Sequence, residues 1–252
     1  AIRGGGTLHG GQNNVAELDI LIVIPARMQG RRFPGKPLAE VGGRPLVWYA
    51  WEVARTWDKA ASIVVASPDD DILDACRAFG AVTQHSDPEL RNGSQRAFEV
   101  LGRNPKYRVV IDLQCDEPGV THAMLDRLAI TMDTPCPTIA TLAAPFPDGC
   151  PSADPNEVKV IVNRYGRAMH FTRQAIVGTL RHIGVYAFPA KLVYQIAKLP
   201  ESQLASAERL EQLDWLDSGW DVQVVQVAAA PPSVNTRRDL ELFGRALQNG
   251  GG

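Results

Sequence analysis

The polar and apolar positions divide the chain into a repeating strand and helix pattern. From Ile20 the sequence reads ILIVIPAR, an apolar run of strand length without polar alternation, as a strand buried on both faces requires. Leu46, Tyr49, Ala50, Val53 and Ala54 then fall on one helical face, with Pro45 in the first turn, so residues 45–57 predict a helix. SIVVAS (62–67) predicts a strand. Asp69, Asp70 and Asp71 supply acids for the positive end of a helix over 72–79, which Gly80 closes. A brief strand at 81–83, a polar loop over 85–93 and a helix starting at 94–99 follow. RVVIDL (108–113) and TIATLAA (138–144) read as further strands around a helix over 121–132. This alternation predicts an α/β fold, Rossmann-like, with a mostly parallel sheet and right-handed crossovers.

After residue 145 the texture changes. A Pro/Asp/Gly loop leads to strand patterns at 158–162, 168–173 and 182–188 with short connections, for which antiparallel pairing is expected. Helices are predicted over 190–199 and 206–218, then a strand over 222–227. Asn235 or Thr236 caps a last helix reaching Gln248. The expected organisation is one domain over 19–248, with a small α+β annex, approximately 145–220, covering the carboxyl edge of the sheet. AIRGGGTLHGGQNN and the terminal Gly250, Gly251 and Gly252 read as flexible tails, and the former lacks a leader's apolar core.

Composition narrows the function classes. The chain has 252 residues, 45% hydrophobic and 21% charged, with a net charge of −2, so no global basic field recruits nucleic acid. No apolar run approaches the ~20 residues of a membrane span. Cys76, Cys115, Cys136 and Cys150 form neither a zinc spacing nor a disulfide framework, and a reducing cytoplasm is expected.

The first strand ends in a loop holding Gly30, Gly35, Arg27, Arg31, Arg32, Lys36 and three prolines. In an open α/β sheet, ligands bind at such carboxyl ends, and glycine-rich cationic loops suit a polyphosphate. Gly30 to Lys36 fits the first seven positions of a P-loop, but Pro37 replaces the Mg²⁺-binding hydroxyl, which disfavours an ATPase. Gln114-Cys115-Asp116-Glu117-Pro118 ends the RVVIDL strand. If both strands lie in one parallel sheet, Asp116 faces the polyphosphate as a Mg²⁺ ligand; the alternative is a residue that only turns the chain. Glu211 either leans into the cleft or is solvated. His182 reads as a core histidine or a ligand, and Arg173 as an anion binder or a surface ion pair.

PAR with R-x-P-G-K-P-L, N-G-S-Q-R, Q-C-D-E-P, N-x-V-K-V, F-T-R, L-R-H-I-G-V-Y and L-E-Q-L, in this order from Asp19 to about Leu247, resemble the 3-deoxy-manno-octulosonate (Kdo) cytidylyltransferases, the CMP-Kdo synthetases. The resemblance implies a sheet of the nucleotide-diphospho-sugar transferase type and a homodimer. It implies transfer of CMP from CTP to a sugar acid with release of pyrophosphate and use of Mg²⁺. It assigns Arg27 and Lys36 to the CTP phosphates, with Pro25, Ala26 and Gly35 beside them. Ala66, Ser67, Asn92, Gly93, Ser94, Gln95 and Arg96 fall to the cytidine pocket, and Asp116 to the metal. Gln114, Arg173, His182, Tyr186, Glu211 and Gln212 fall to the acceptor.

Four departures accompany the resemblance, the first a small one: Cys115 stands where the family has Gly. Gln95 stands where the family has an acid, and Asn235 stands where it has a second metal-binding aspartate. The segment between Arg173 and Leu180 is short. A compact acid acceptor fits that shortening, so a CTP:phosphonoformate cytidylyltransferase is the alternative acceptor reading. An inactive CTP-binding regulator is the alternative of another class.

Overall fold

The computed structural model describes residues 19–30 and 32–249; the two expected tails and Arg31 lie outside the described residues. The strands are β1 (Ile20–Pro25), β2 (Glu40–Val41), β3 (Arg44–Pro45), β4 (Ala60–Ser67), β5 (Thr83–His85), β6 (Val109–Leu113), β7 (Ile139–Ala144), β8 (Lys159–Val162), β9 (Ala168–Thr172), β10 (Leu180–Pro189) and β11 (Val222–Gln226). The helices are α1 (Leu46–Thr56), α2 (Asp70–Ala78), α3 (Gly93–Arg103), α4 (His122–Met132), α5 (Ala190–Ile196), α6 (Gln203–Glu208), α7 (Gln212–Asp217) and α8 (Arg237–Asn249).

The main sheet runs β11-β7-β10-β6-β1-β4-β5. β1 pairs parallel with β4 and β6, β4 with β5, and β7 with β11; β10 runs antiparallel between β6 and β7. The mostly parallel sheet is as expected. The strand near 182–188 does pair antiparallel, but it is a central strand of the main sheet. The short β8–β9 pair attaches to its start, through Leu180↔Val160 and Arg181↔Lys159.

Alternate residues of β1 explain the layers. Ile20, Ile22 and Ile24 pack with Val47, Ala50 and Ala54 of α1, Ile72 of α2 and Leu125 and Leu128 of α4. Leu21 and Val23 face the other way, onto Ala97 and Leu101 of α3 and Val193 and Ile196 of α5. Helices on both faces of a parallel core account for the near-continuous apolar strands.

Several boundaries differ from the sequence expectation. The strand expected at 81–83 is β5, two residues later, because Ala81 N–H still donates to Cys76 O in the α2 cap. α3 begins at Gly93, since the Asn92 carboxamide accepts the Gln95 N–H. The helix expected over 206–218 is two short helices: Ser202 caps α6, and Arg209 (φ 56°, ψ 50°) breaks the run before α7. Among the described residues no helix is long and apolar enough to cross a membrane.

Candidate active site

β1, β4 and β6 run in one direction, so their carboxyl ends open on the same edge. The loop after β1 is tied down by Ala26 N–H to Ala66 O, Met28 N–H to Asp69 Oδ2 and Gly35 N–H to Met28 O. Gly35 has φ +72°, a backbone angle natural to glycine. Lys36 then begins a three-residue 3₁₀ turn (Lys36–Leu38), not an α-helix, so the partial P-loop match has no P-loop geometry behind it.

The cationic and anionic strand tips meet. Lys36 Nζ lies 2.6 Å from Asp116 Oδ2 and 3.1 Å from Val234 O. Burial pulls the Lys36 ammonium down, and the Asp116 carboxylate more than offsets it, so its pKa is raised. Asp116 O accepts the Val234 N–H at 2.8 Å, which draws Asn235 into the same cleft.

That cleft has a volume of about 870 Å³. Arg27, Arg32, Lys36, Arg91, Arg96, Arg173 and Arg209 line it, against Asp116, Glu201, Glu211 and Asp214. Arg96 is 2% exposed, donates to Asn92 O at 3.1 Å and leaves its Nε without a partner. Burial, then the neighbouring Arg27 charge, lowers its pKa. Burial and Arg27 together outweigh the attraction of Asp69, Glu99 and Asp87, so an anionic ligand in the cleft would favour this guanidinium further.

The residues expected to face the acceptor are held by the chain that follows β7. Lys159, fully buried in β8, donates to Asp154 O at 2.6 Å and Arg173 O at 3.3 Å. Arg173 donates to Glu208 O, Pro155 O and Arg209 O, and burial, then Arg32, lowers its pKa. Glu211 and Gln212 line the cleft where α7 starts, and both carry a buried oxygen without a partner. Burial raises Glu211 to about 7.

Of the sequence-predicted residues, Pro25, Ala26, Arg27, Lys36, Asn92, Gly93, Arg96, Gln114, Asp116, Arg173, Glu211, Gln212 and Asn235 line one cleft. Others stand behind its wall. Ala66 and Ser67 are buried at the end of β4, and Gly35 is taken up in the turn. His182 is a core histidine: its Nε2 lies 2.9 Å from Thr141 Oγ1, whose hydroxyl donates to Val185 O at 2.8 Å, and its ring stacks on Tyr186. Burial lowers it to about 3, so it is neutral at physiological pH. Tyr186 is buried and accepts from Gln212 Nε2, one layer back from the cleft.

Gln95 does not line the cleft. Its Oε1 accepts the Arg91 N–H at 2.9 Å and completes the cap of α3, so its side chain turns to a separate cavity at the other edge. A glutamine accepts this bond as an acid would, which accounts for the local structure surviving the departure.

Sequence reasoning missed Asp112 of β6, which is fully buried and hydrogen-bonded to Ser94 and Gln114. Burial, then Glu211, pushes its carboxyl well above the usual range. The signal was present: an aspartate inside the apolar run RVVIDL is a buried polar group that needs an explanation.

Among the described residues no cluster of three or more His, Cys, Asp or Glu is placed to hold a metal. Asp116 and the Asn235 carboxamide, sharing a cleft with room for phosphates, suit an ion that keeps waters and phosphate oxygens as its other ligands.

A nucleotide-binding α/β sheet whose strand tips converge on a cation-rich cleft defines a nucleotidyltransferase class of protein. A family profile described as cytidylyltransferase matches residues 21–222. The chain belongs to the cytidylyltransferase family. It is 36% identical to a 3-deoxy-manno-octulosonate cytidylyltransferase of Chlorobium chlorochromatii (strain CaD3), over 89% of this chain and 95% of that protein. A protein of the same name from Vibrio cholerae serotype O1 is 35% identical, over 91% and 98%. The solved structure of a CMP:2-keto-3-deoxy-manno-octonic acid synthetase complexed with CTP superposes with a TM-score of 0.83 and 31% identity, covering 92% of this chain and 99% of that one. A 4-diphosphocytidyl-2C-methyl-D-erythritol synthase from Anaerococcus prevotii, 16% identical with a TM-score of 0.62, shares the fold.

Proposed function

We propose that the chain transfers CMP from CTP to Kdo and releases pyrophosphate. A hydroxyl oxygen of the acceptor attacks the α-phosphorus in line. The new O–P bond forms as the bond to the pyrophosphate oxygen breaks, and the hydroxyl proton leaves to solvent. The observation that carries this reading is the convergence of Lys36 and Asp116, 2.6 Å apart at the tips of neighbouring parallel strands. The relatives named for this reaction match over nearly their whole length, which favours it over the phosphonoformate alternative and over an inactive regulator.

The chain's own part is positioning and charge neutralisation. Arg27, Lys36 and Arg96 receive the triphosphate and the charge that grows on the leaving pyrophosphate. Arg173, Gln114, Glu211 and Gln212 face the acceptor, with Tyr186 and His182 holding that wall from behind. Mg²⁺ belongs to the reading, held by Asp116 and Asn235, where it would supply charge neutralisation at the phosphates and lower the pKa of the attacking hydroxyl. Assembly as a homodimer is part of the same reading and is checked by light scattering.

The test combines the purified chain, CTP and Mg²⁺ with a panel of Kdo, its amino analogue and phosphonoformate, reading pyrophosphate. Release dependent on Kdo is the expected result. Release with phosphonoformate alone would replace the acceptor, and CTP binding with no turnover on any acid would favour the regulator.

A further inference from the structure

Asp112 has no role in the chemistry above, yet the fold keeps a carboxyl group inside the sheet to accommodate it. It is 0% exposed, and among the described residues no cation pairs with it. Ser94 Oγ bonds its Oδ2 at 3.0 Å, and Gln114 Nε2 donates to Oδ1 at 3.0 Å and Oδ2 at 2.9 Å. These contacts fix the carboxamide of Gln114 with its nitrogen inward, so its Oε1 is the atom left for the cleft. The orientation does not depend on the charge of Asp112. Protonated on Oδ2, the group would donate to Ser94 Oγ and still accept Nε2–H on Oδ1. Gly93 makes the arrangement possible, since a Cβ there would stand 2.3 Å from Gln114 Nε2.

We propose that Asp112 is a positioning residue for acceptor recognition: by holding Gln114 Nε2 it presents Gln114 Oε1 to the cleft as a hydrogen-bond acceptor, which selects an acid that offers a hydroxyl. The inference rests on the reading that the acceptor is a sugar acid facing Gln114. A polyhydroxylated acid satisfies the exposed oxygen. An acid without an O–H leaves it unpaired, the situation in which polar sites discriminate most strongly.

Asp112→Leu, of similar size, removes both accepting oxygens and releases the carboxamide, whereas Asp112→Asn keeps an oxygen for the Nε2–H and should behave as the wild type. In Asp112→Leu the KM for Kdo should rise about tenfold, the worth of one hydrogen bond, while the KM for CTP stays within about twofold. In a Gln114→Met background the same substitution should add no further rise, because Asp112 acts through Gln114. Equal rises in both KM values, or the full effect persisting without Gln114, would overturn the proposal. The Gln114 side-chain amide resonances supply a readout free of turnover. In the wild type the amide proton shared by the two Asp112 oxygens should exchange slowly with solvent, and in Asp112→Leu that protection should be lost. If the wild type does not turn over Kdo, the acceptor reading fails and the resonances still decide the positioning. If Asp112→Leu does not fold, an unprotected carboxamide in the wild type overturns the proposal and a protected one upholds it.

Discussion

Lys36 and Asp116 form the contact on which the site turns, and its exposure limits what it contributes to stability. The two side chains are 18% and 29% exposed, so the pair is worth little as a surface bridge and more as a poised pair of charges. Asp116→Ala is expected to abolish pyrophosphate release, whereas Lys36→Ala slows it by about a hundredfold, the usual cost of one transition-state donor. Full activity in Asp116→Ala, measured as pyrophosphate release, would refute a role for this carboxylate. Gly93→Ala tests the packing behind the site. The added methyl meets Gln114 Nε2 at 2.3 Å and Pro25 Cγ at 3.0 Å, so acceptor KM should rise while the circular dichroism spectrum stays unchanged. At this scale the sequence was eloquent about charged loop residues and silent about depth. The RVVIDL run names an aspartate but not the three hydrogen bonds that satisfy it, because its partners come from α3 and from two positions further along its own strand.

Among the elements, α6 and α7 show why a single helix could not serve. Glu208 must reach back to the Thr172 hydroxyl and the Arg173 N–H, while Glu211 and Gln212 must face the cleft; one straight helix would not carry all of these. Arg209 absorbs the change of direction at φ 56°. Arg209→Gly removes that strain and should raise Tm, by roughly 2–4 °C per kcal/mol recovered, with about 1 kcal/mol available. Activity should fall in the same variant, because a cleft cation is lost; a lower Tm would refute the strain argument. The leucines and Trp215 of this region gave a clean helical pattern, which is the reason the break was illegible. Periodicity registers which faces are buried and not whether the axis bends between them. The β2–β3 hairpin was legible in principle. Gly42 and Gly43, both at positive φ, lie between Val41 and Arg44 as a two-residue turn requires.

Across the whole molecule, buried carboxyl groups and a buried histidine set opposing pH slopes. Glu211, raised by burial from 4.5 to about 7, holds its proton more tightly when folded. Its contribution is complete below its unfolded value and is lost as pH rises through 7. His182, lowered by burial from 6.5 to about 3, is neutral when folded, so its contribution is complete above its unfolded value and is lost as pH falls toward 3. Burial also raises Glu117 to about 8 and Asp112 well above its usual range, both sloping the same way as Glu211, so Tm should be highest near pH 4.5 or below and decline toward pH 8. Glu211→Gln should make the alkaline decline shallower, the remainder belonging to Glu117 and Asp112; an unchanged decline would remove Glu211 as a contributor. The α/β class and the order of elements up to β7 were readable from periodicity. The place of β10 was not, since its run is equally apolar at an edge or in the centre, and only its partners β6 and β7 decide between them.

The central seat of β10 also governs how the molecule is made. β6 and β7 are never neighbours; the strip between them stays open until residues 180–189 have been synthesised. A nascent chain halted after β7 holds the half-sheet β6-β1-β4-β5, an unpaired β7 and an unroofed polar cluster, because Tyr186 pairs with Asp112 only when β10 arrives. Fragment 19–150 should collect in the insoluble fraction and fragment 19–249 in the soluble one, so translation would have to run past residue 189 before the core could close.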